Sequence, residues 1–176
     1  SMRVIFFAAL VSFSALAAPF TVTSETVKEG KSLSNAQVFN GMGCTGDNQS
    51  PQLSWKNAPE GTKSFAVTIY DPDAPTGSGW WHWVVYDVPA TTTSLAADLK
   101  DKAPEGAKLG RTDFGAKGFG GACPPPKDKA HHYVVTVFAL KVDKLEVPDD
   151  ATAAMIGYFL NANALGKAKL TATYKR

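Results

Sequence analysis

The chain is poor in the side chains on which most enzyme chemistry rests. Its 176 residues include only two cysteines and three histidines. Two cysteines without C-x-x-C spacing make neither a zinc finger nor a redox dithiol. No G-x-S-x-G elbow, phosphate-binding P-loop or dinucleotide glycine fingerprint occurs, so those hydrolase, NTPase and dehydrogenase chemistries have no footing. The 18 Lys and Arg against 16 Asp and Glu leave a net charge of +2 with no basic cluster, which removes the electrostatic case for nucleic acid. The apolar run from Val4 to Leu16 falls short of the about 20 residues that cross a bilayer, so no membrane span is expected. No internal repeat and no linker interrupts the rest.

What is present begins with an export pattern. Met2-Arg3 supplies a positive start, "VIFFAALVSFSAL" an apolar core, and Ala15-Leu16-Ala17 an A-x-A cleavage step. Residues 1–17 therefore read as a secretory signal peptide, with Ser1 an expression scar. Residues 18–176 read as a single domain, periplasmic or secreted. In that oxidising setting an even cysteine count reads as a bridge, Cys44 to Cys123. The alternatives are two free buried thiols, or Cys123 as a nucleophile.

Strand signals dominate the domain. "FTVT" (20–23), "SFAVTIY" (64–70), 81–86, "HYVVTVFAL" (132–140) and "KLTATY" (169–174) are rich in β-branched and aromatic residues. Gly, Pro, Asp and Asn clusters separate them. One helix is expected from an Asp149 or Asp150 cap to about Ala164, with Met155, Tyr158, Phe159 and Ala162 on its apolar face and Gly166 as its stop. Together these predict a mainly β fold, an antiparallel β-sandwich with one helix in the C-terminal half.

Two segments gather the titratable groups. "DPDAPTGSGWWHW" places Asp71 and Asp73 in a stiff loop before His82, whose neighbours are Trp81 and Trp83. A carboxylate there is placed to approach His82. "GGACPPPKDKAHHY" ends on His131 and Tyr133, which share one strand face, while His132 points the other way, to solvent or a dimer contact.

These two segments, with "GDNQSPQLSW" (46–55), resemble the signature motifs of the phosphatidylethanolamine-binding protein family (Raf kinase inhibitor-like), and most of all its exported bacterial branch. The likeness runs from Phe20 to Tyr174. It implies a Greek-key β-sandwich with a small anion pocket at one edge. It also implies that Asp71, His82, His131 and Tyr133 form the pocket, with backbone from the loop at Cys123 and Pro124. The sequence departs from many bacterial members in having Ala122 where they carry proline. Bacterial relatives further imply a homodimer, for which Trp80, Trp81 or Phe119 offer a contact.

An anion needs donors. Histidine N–H, the Tyr133 O–H and loop N–H groups in an anion nest would supply them. Asp71 then fits as the acceptor that orients a histidine. Asp73 is expected to bond its own loop, and Trp81 or Trp83 to wall the mouth. The function expected is non-enzymatic binding of a phosphate-type group or phospholipid headgroup, with no cofactor and with an unidentified protein partner as a further possibility. The alternatives are a hydrolase-like enzyme using His82, His131 and Asp71, or a metal site of two histidines and one carboxylate.

Overall fold

The computed structural model describes Ser1 and residues 10–176. Most of the expected signal peptide, residues 2–9, lies outside the described residues. The strands are β1 (Thr21–Thr23), β2 (Asn40–Gly41), β3 (Cys44–Thr45), β4 (Leu53–Lys56), β5 (Ser64–Asp71), β6 (Trp80–Pro89), β7 (Ser94–Leu95), β8 (Lys108–Leu109), β9 (His131–Leu140) and β10 (Ala164–Tyr174). Helix α1 spans Ala153–Asn163 and runs directly into β10.

Five strands form the main sheet in the order β10-β9-β5-β6-β8, every pair antiparallel. A three-stranded sheet, β1-β4-β7, packs over one face, and β2-β3 form a separate hairpin. The core between the sheets joins Val22, Leu53, Trp55 and Leu95 to Phe65, Val67, Ile69, Trp83, Val85, Val135 and Val137. On the other face Ala66, Val84, Tyr86, Phe138 and Leu140 meet Ala153, Ile156 and Leu160 of α1. The main sheet is thus a middle layer. That is why Val84, Val85 and Tyr86 form an unbroken apolar run: both faces of β6 are covered. The expected sandwich with one late helix is the fold observed.

The helix differs in detail from its expected form. Thr152, not Asp149 or Asp150, caps it, its side chain accepting from Met155 N at 3.1 Å. The buried positions are Ala153, Ile156, Gly157 and Leu160. Tyr158 is 71% and Met155 44% exposed. Apolar residues surround this helix, so size decides which side docks. A Cβ on Gly157 would already sit 3.5 Å from Trp81, and only a small residue lets the helix lie on that ring. Gly166 is not a helix stop. It sits in β10 at a register shift against β9, where a Cβ would come within 2.8 Å of Pro59. Thr152→Ala is expected to cost about 1 kcal/mol and Thr152→Ser far less. Thermal melts should show a drop of roughly 2–4 °C for the alanine variant only.

Candidate functional site

A fault in the β5–β6 pairing builds the site. Ile69 pairs with Trp83 and Tyr70 with Trp81, so His82 is an extra residue on β6. A bulge of this kind turns two consecutive side chains to one side. Trp83 enters the inter-sheet core and His82 lies beside it. Trp81 goes to the opposite face, stacked 4.5 Å from Tyr70 and against the helix layer. The polar ring among tryptophans is therefore walled by neither neighbour. Its actual walls are Phe114 and Tyr133, edge-on at centroid distances of 5.5 and 5.2 Å. The expectation that Trp81 or Trp83 flanks the mouth is corrected: the tryptophan lining the cavity is Trp80.

His82 is 4% exposed, and its Nδ1 lies 2.7 Å from the carbonyl oxygen of Gly120. A carbonyl only accepts, so Nδ1 carries the proton. Burial, opposed by that hydrogen bond and by the charge of Asp71, lowers the pKa of His82 below the usual histidine value. In the neutral ring Nε2 is then a bare lone pair. Among the described residues no protein group bonds it.

The carboxylate expected near His82 holds the other histidine instead. Asp71 Oδ2 accepts from His131 Nδ1 at 2.7 Å, and Asp128 Oδ2 accepts from His131 Nε2 at 3.0 Å. Burial works against charge on this ring. The hydrogen bonds to Asp71 and then Asp128, with their charges, outweigh it and raise the pKa. When protonated, His131 spends both N–H groups on these carboxylates and has neither a donor for an anion nor a lone pair for a metal. Asp71 Oδ1 also accepts from Asp73 N at 2.8 Å. The Asp73 side chain, expected to bond its own loop, instead ties it to β9: its Oδ2 accepts from both His132 N and His132 Nδ1 at 2.7 Å. Despite some burial, those bonds and the charge of His132 hold Asp73 below the usual carboxylate range. His132 itself is solvent-facing, as its strand position predicts.

The loop before Cys123 is stitched down rather than open. Gly120 N donates to His82 O, Gly121 N to Asn48 Oδ1, and Ala122 N to Gln37 O. A side chain at Gly121 would collide with the backbone of Gln37 and Val38, and one at Gly120 with the Phe114 ring. The glycines are needed for that close approach. The expected anion nest is not formed by these three groups, because each N–H already has an acceptor. Asn48 also donates to Phe119 O at 3.2 Å, a role in "GDNQSPQ" that sequence reading missed. Cys123 is bonded to Cys44, which settles the cysteine alternatives for this structure. Arg176 adds a second tie, donating from Nε to Pro124 O at 2.6 Å and from Nη1 to Gly43 O at 3.2 Å.

These ties enclose a cavity of about 160 Å³. Asp71, His82 and Tyr133 make its polar base; Met42, Pro75, Trp80, Phe114, Cys123, Pro124 and Pro125 make its walls. Ligand sites for drug-sized molecules run from about 300 Å³ upward, so this one suits a small group. Tyr133 is kept a phenol, its pKa pushed up by burial and then by the charge of Asp71. Among the described residues its hydroxyl has no protein partner. Met42, Phe114, Pro75, Pro125 and Asp128 were not singled out from sequence, and Trp80 only as a dimer contact. Only the unbroken "CPPP" hinted at a wall.

The chain is a β-sandwich with a small, partly polar cleft beside one sheet. Its sequence says which kind: the family model described as phosphatidylethanolamine-binding protein matches residues 23–175, and the chain belongs to that family. It is 55% identical to the protein YbcL of Escherichia coli (strain K12) over 95% of this chain and 93% of that one. It is 47% identical to YbhB of the same organism over 86% of this chain and 97% of the relative. The crystal structure of Escherichia coli YbcL, described there as a new member of the mammalian PEBP family, superposes with a TM-score of 0.87 at 54% identity. That match covers 90% of this chain and 99% of that one.

Proposed function

We propose that the chain is a non-enzymatic binding protein whose pocket takes a small phosphate-type group, free or as a headgroup. One observation carries the reading. Two polar groups of the base, His82 Nε2 and the Tyr133 hydroxyl, meet the cavity with no protein partner among the described residues. Buried polar groups are ordinarily paired, so a partner from outside is the natural occupant. The same geometry speaks against turnover. Cys123 is held as a disulfide, and His131 has no free nitrogen for acid–base work.

The test is calorimetric titration with phosphate and phosphoethanolamine. Tyr133→Phe removes one hydroxyl without changing the ring and is expected to weaken binding about tenfold, the worth of a net hydrogen bond of about 1.4 kcal/mol. Tyr158→Phe, on the exposed helix face, is the control and should bind as the parent does. Heat-free titrations with both ligands would overturn the reading.

Three further parts of this reading rest on sequence. Residues 1–17 are taken as a signal peptide and 18–176 as one domain, with the family match at 23–175 in support. Export to the periplasm is supported by that leader pattern and by the disulfide. Assembly as a homodimer is carried over from the bacterial resemblance. Trp80 lines the pocket, while Trp81 and Phe119 pack against the two cores, so any dimer contact uses only their part-exposed edges. Light scattering across a dilution series decides it: a monomer mass throughout would sink the dimer.

A further inference from the structure

If the pocket takes a phosphate-type group, as proposed above, its hydrogen-bond inventory restricts which form. A fully deprotonated oxyanion offers only acceptors and must be met by donors. This site has few. Its walls are rich in proline, and Pro75, Pro124 and Pro125 have no N–H. The N–H groups of Gly120, Gly121 and Ala122 are spent, as are both N–H groups of His131. No lysine or arginine lines the cavity. The acceptors are more plentiful. Asp71 lines the base with a protein donor on each oxygen and lone pairs left over. His82 adds Nε2, because Nδ1–H is fixed on Gly120 O. Among the described lining residues, the Tyr133 hydroxyl is the free donor of the base, and on the walls only N–H groups such as those of Cys123 and the Trp80 indole lack a protein acceptor.

We infer that the ligand enters with a proton of its own: the pocket recognises a phosphomonoester monoanion or an undissociated acid group, whose O–H donates to Asp71 or His82 Nε2, and not a phosphodiester. The burial of His82 agrees with this, since it lowers the ring's pKa and so favours the neutral form. The inference separates two sources of the same chemistry. A free phosphomonoester keeps an O–H in its monoanion. The phosphate of an intact lipid is a diester and has none.

The experiment uses the unmodified protein with three probes of matched charge near pH 5.5: methyl phosphate, dimethyl phosphate and methyl sulfate. A phosphomonoester has its second pKa at about 6, so methyl phosphate is then mostly a monoanion. All three carry one negative charge, and only methyl phosphate retains an O–H. It is expected to bind at least about tenfold more tightly, since a site built for a hydroxyl rejects the analogue lacking it. Raising the pH to 8 should erase most of that advantage. The groups carrying charge or titrating around the site are Asp71, Asp73, His82, Asp113, Asp128, His131, Tyr133 and, behind the Pro124 wall, Arg176. They act on all three probes, so the affinity ratio isolates the ligand's proton. Asp71→Asn replaces an acceptor oxygen with a donor and should bring the three affinities within about threefold of one another. Equal affinity of the three probes for the unmodified protein would overturn the proton requirement alone. Binding of none of them would overturn it together with the pocket reading.

Discussion

Reduction of the Cys44–Cys123 bond is expected to lower the melting temperature by roughly 9–18 °C. The two half-cystines stand 79 residues apart. Closing a loop of that length removes chain entropy from the unfolded state worth about 4.5 kcal/mol near 25 °C. For a chain of this size each kcal/mol moves the midpoint by roughly 2–4 °C. The structural consequence is local. The bond joins the β2–β3 hairpin to the loop that walls the pocket, so its loss frees Met42 on one side and Pro124 and Pro125 on the other. Arg176 and Asn48 remain as ties, which is why the double variant Cys44→Ser/Cys123→Ser should still fold at room temperature. Thermal melts with and without reductant, with thiols counted after denaturation, check this. Full reduction with an unmoved midpoint would show that the hydrogen bonds, not the disulfide, hold this wall.

Much of the fold could be read in the chain because it depends on short-range patterns. The strands at 64–70 and 132–140 declare themselves by β-branched residues between glycine and proline clusters. A pairing fault does not declare itself. The bulge at His82 exists only in the register of β6 against β5, so the sequence offers Trp81 or Trp83 for the mouth and gives no sign of Trp80 there. The helix face failed for a related reason. With apolar residues all around it, periodicity does not select the docking side; the buried face is Ala153, Ile156, Gly157 and Leu160, with Gly157 against Trp81. The site was legible as a set of residue types and illegible as a network. Asp71, His82, His131 and Tyr133 do come together, but which carboxylate meets which histidine depends on sheet geometry. Asp128 was invisible because it reaches His131 from an irregular loop, and Asn48 because its partner lies 73 residues away.

That network makes His131 a stability group, and the pH profile of unfolding should show it. Its pKa in the folded protein is raised above the unfolded value of about 6.5. The native state therefore holds a proton that the unfolded chain has released. The stabilisation is complete below about pH 6.5 and is lost as pH rises through the folded-state pKa. His82 works in the opposite sense. Its folded pKa is lowered, so its contribution is complete above about pH 6.5 and is lost as pH falls through the folded value. The melting temperature is thus expected to peak around pH 6–7 and decline on both sides, the alkaline limb from His131 and the acid limb from His82 and, at lower pH, Asp73. Asp71→Ala should cost most at neutral pH and below, where the ring holds its proton. It strips a buried imidazolium of its 2.7 Å partner, a loss of about 3–5 kcal/mol, or roughly 6–20 °C. Asp128→Ala, at the half-exposed end of the same ring, should cost much less. In the Asp71 variant the decline above pH 7 should flatten, because the ring no longer has that charge to hold its proton. An alkaline limb unchanged by Asp71→Ala would sink the assignment and return His131 to the role of a ligand contact, the part the motif alone suggested for it.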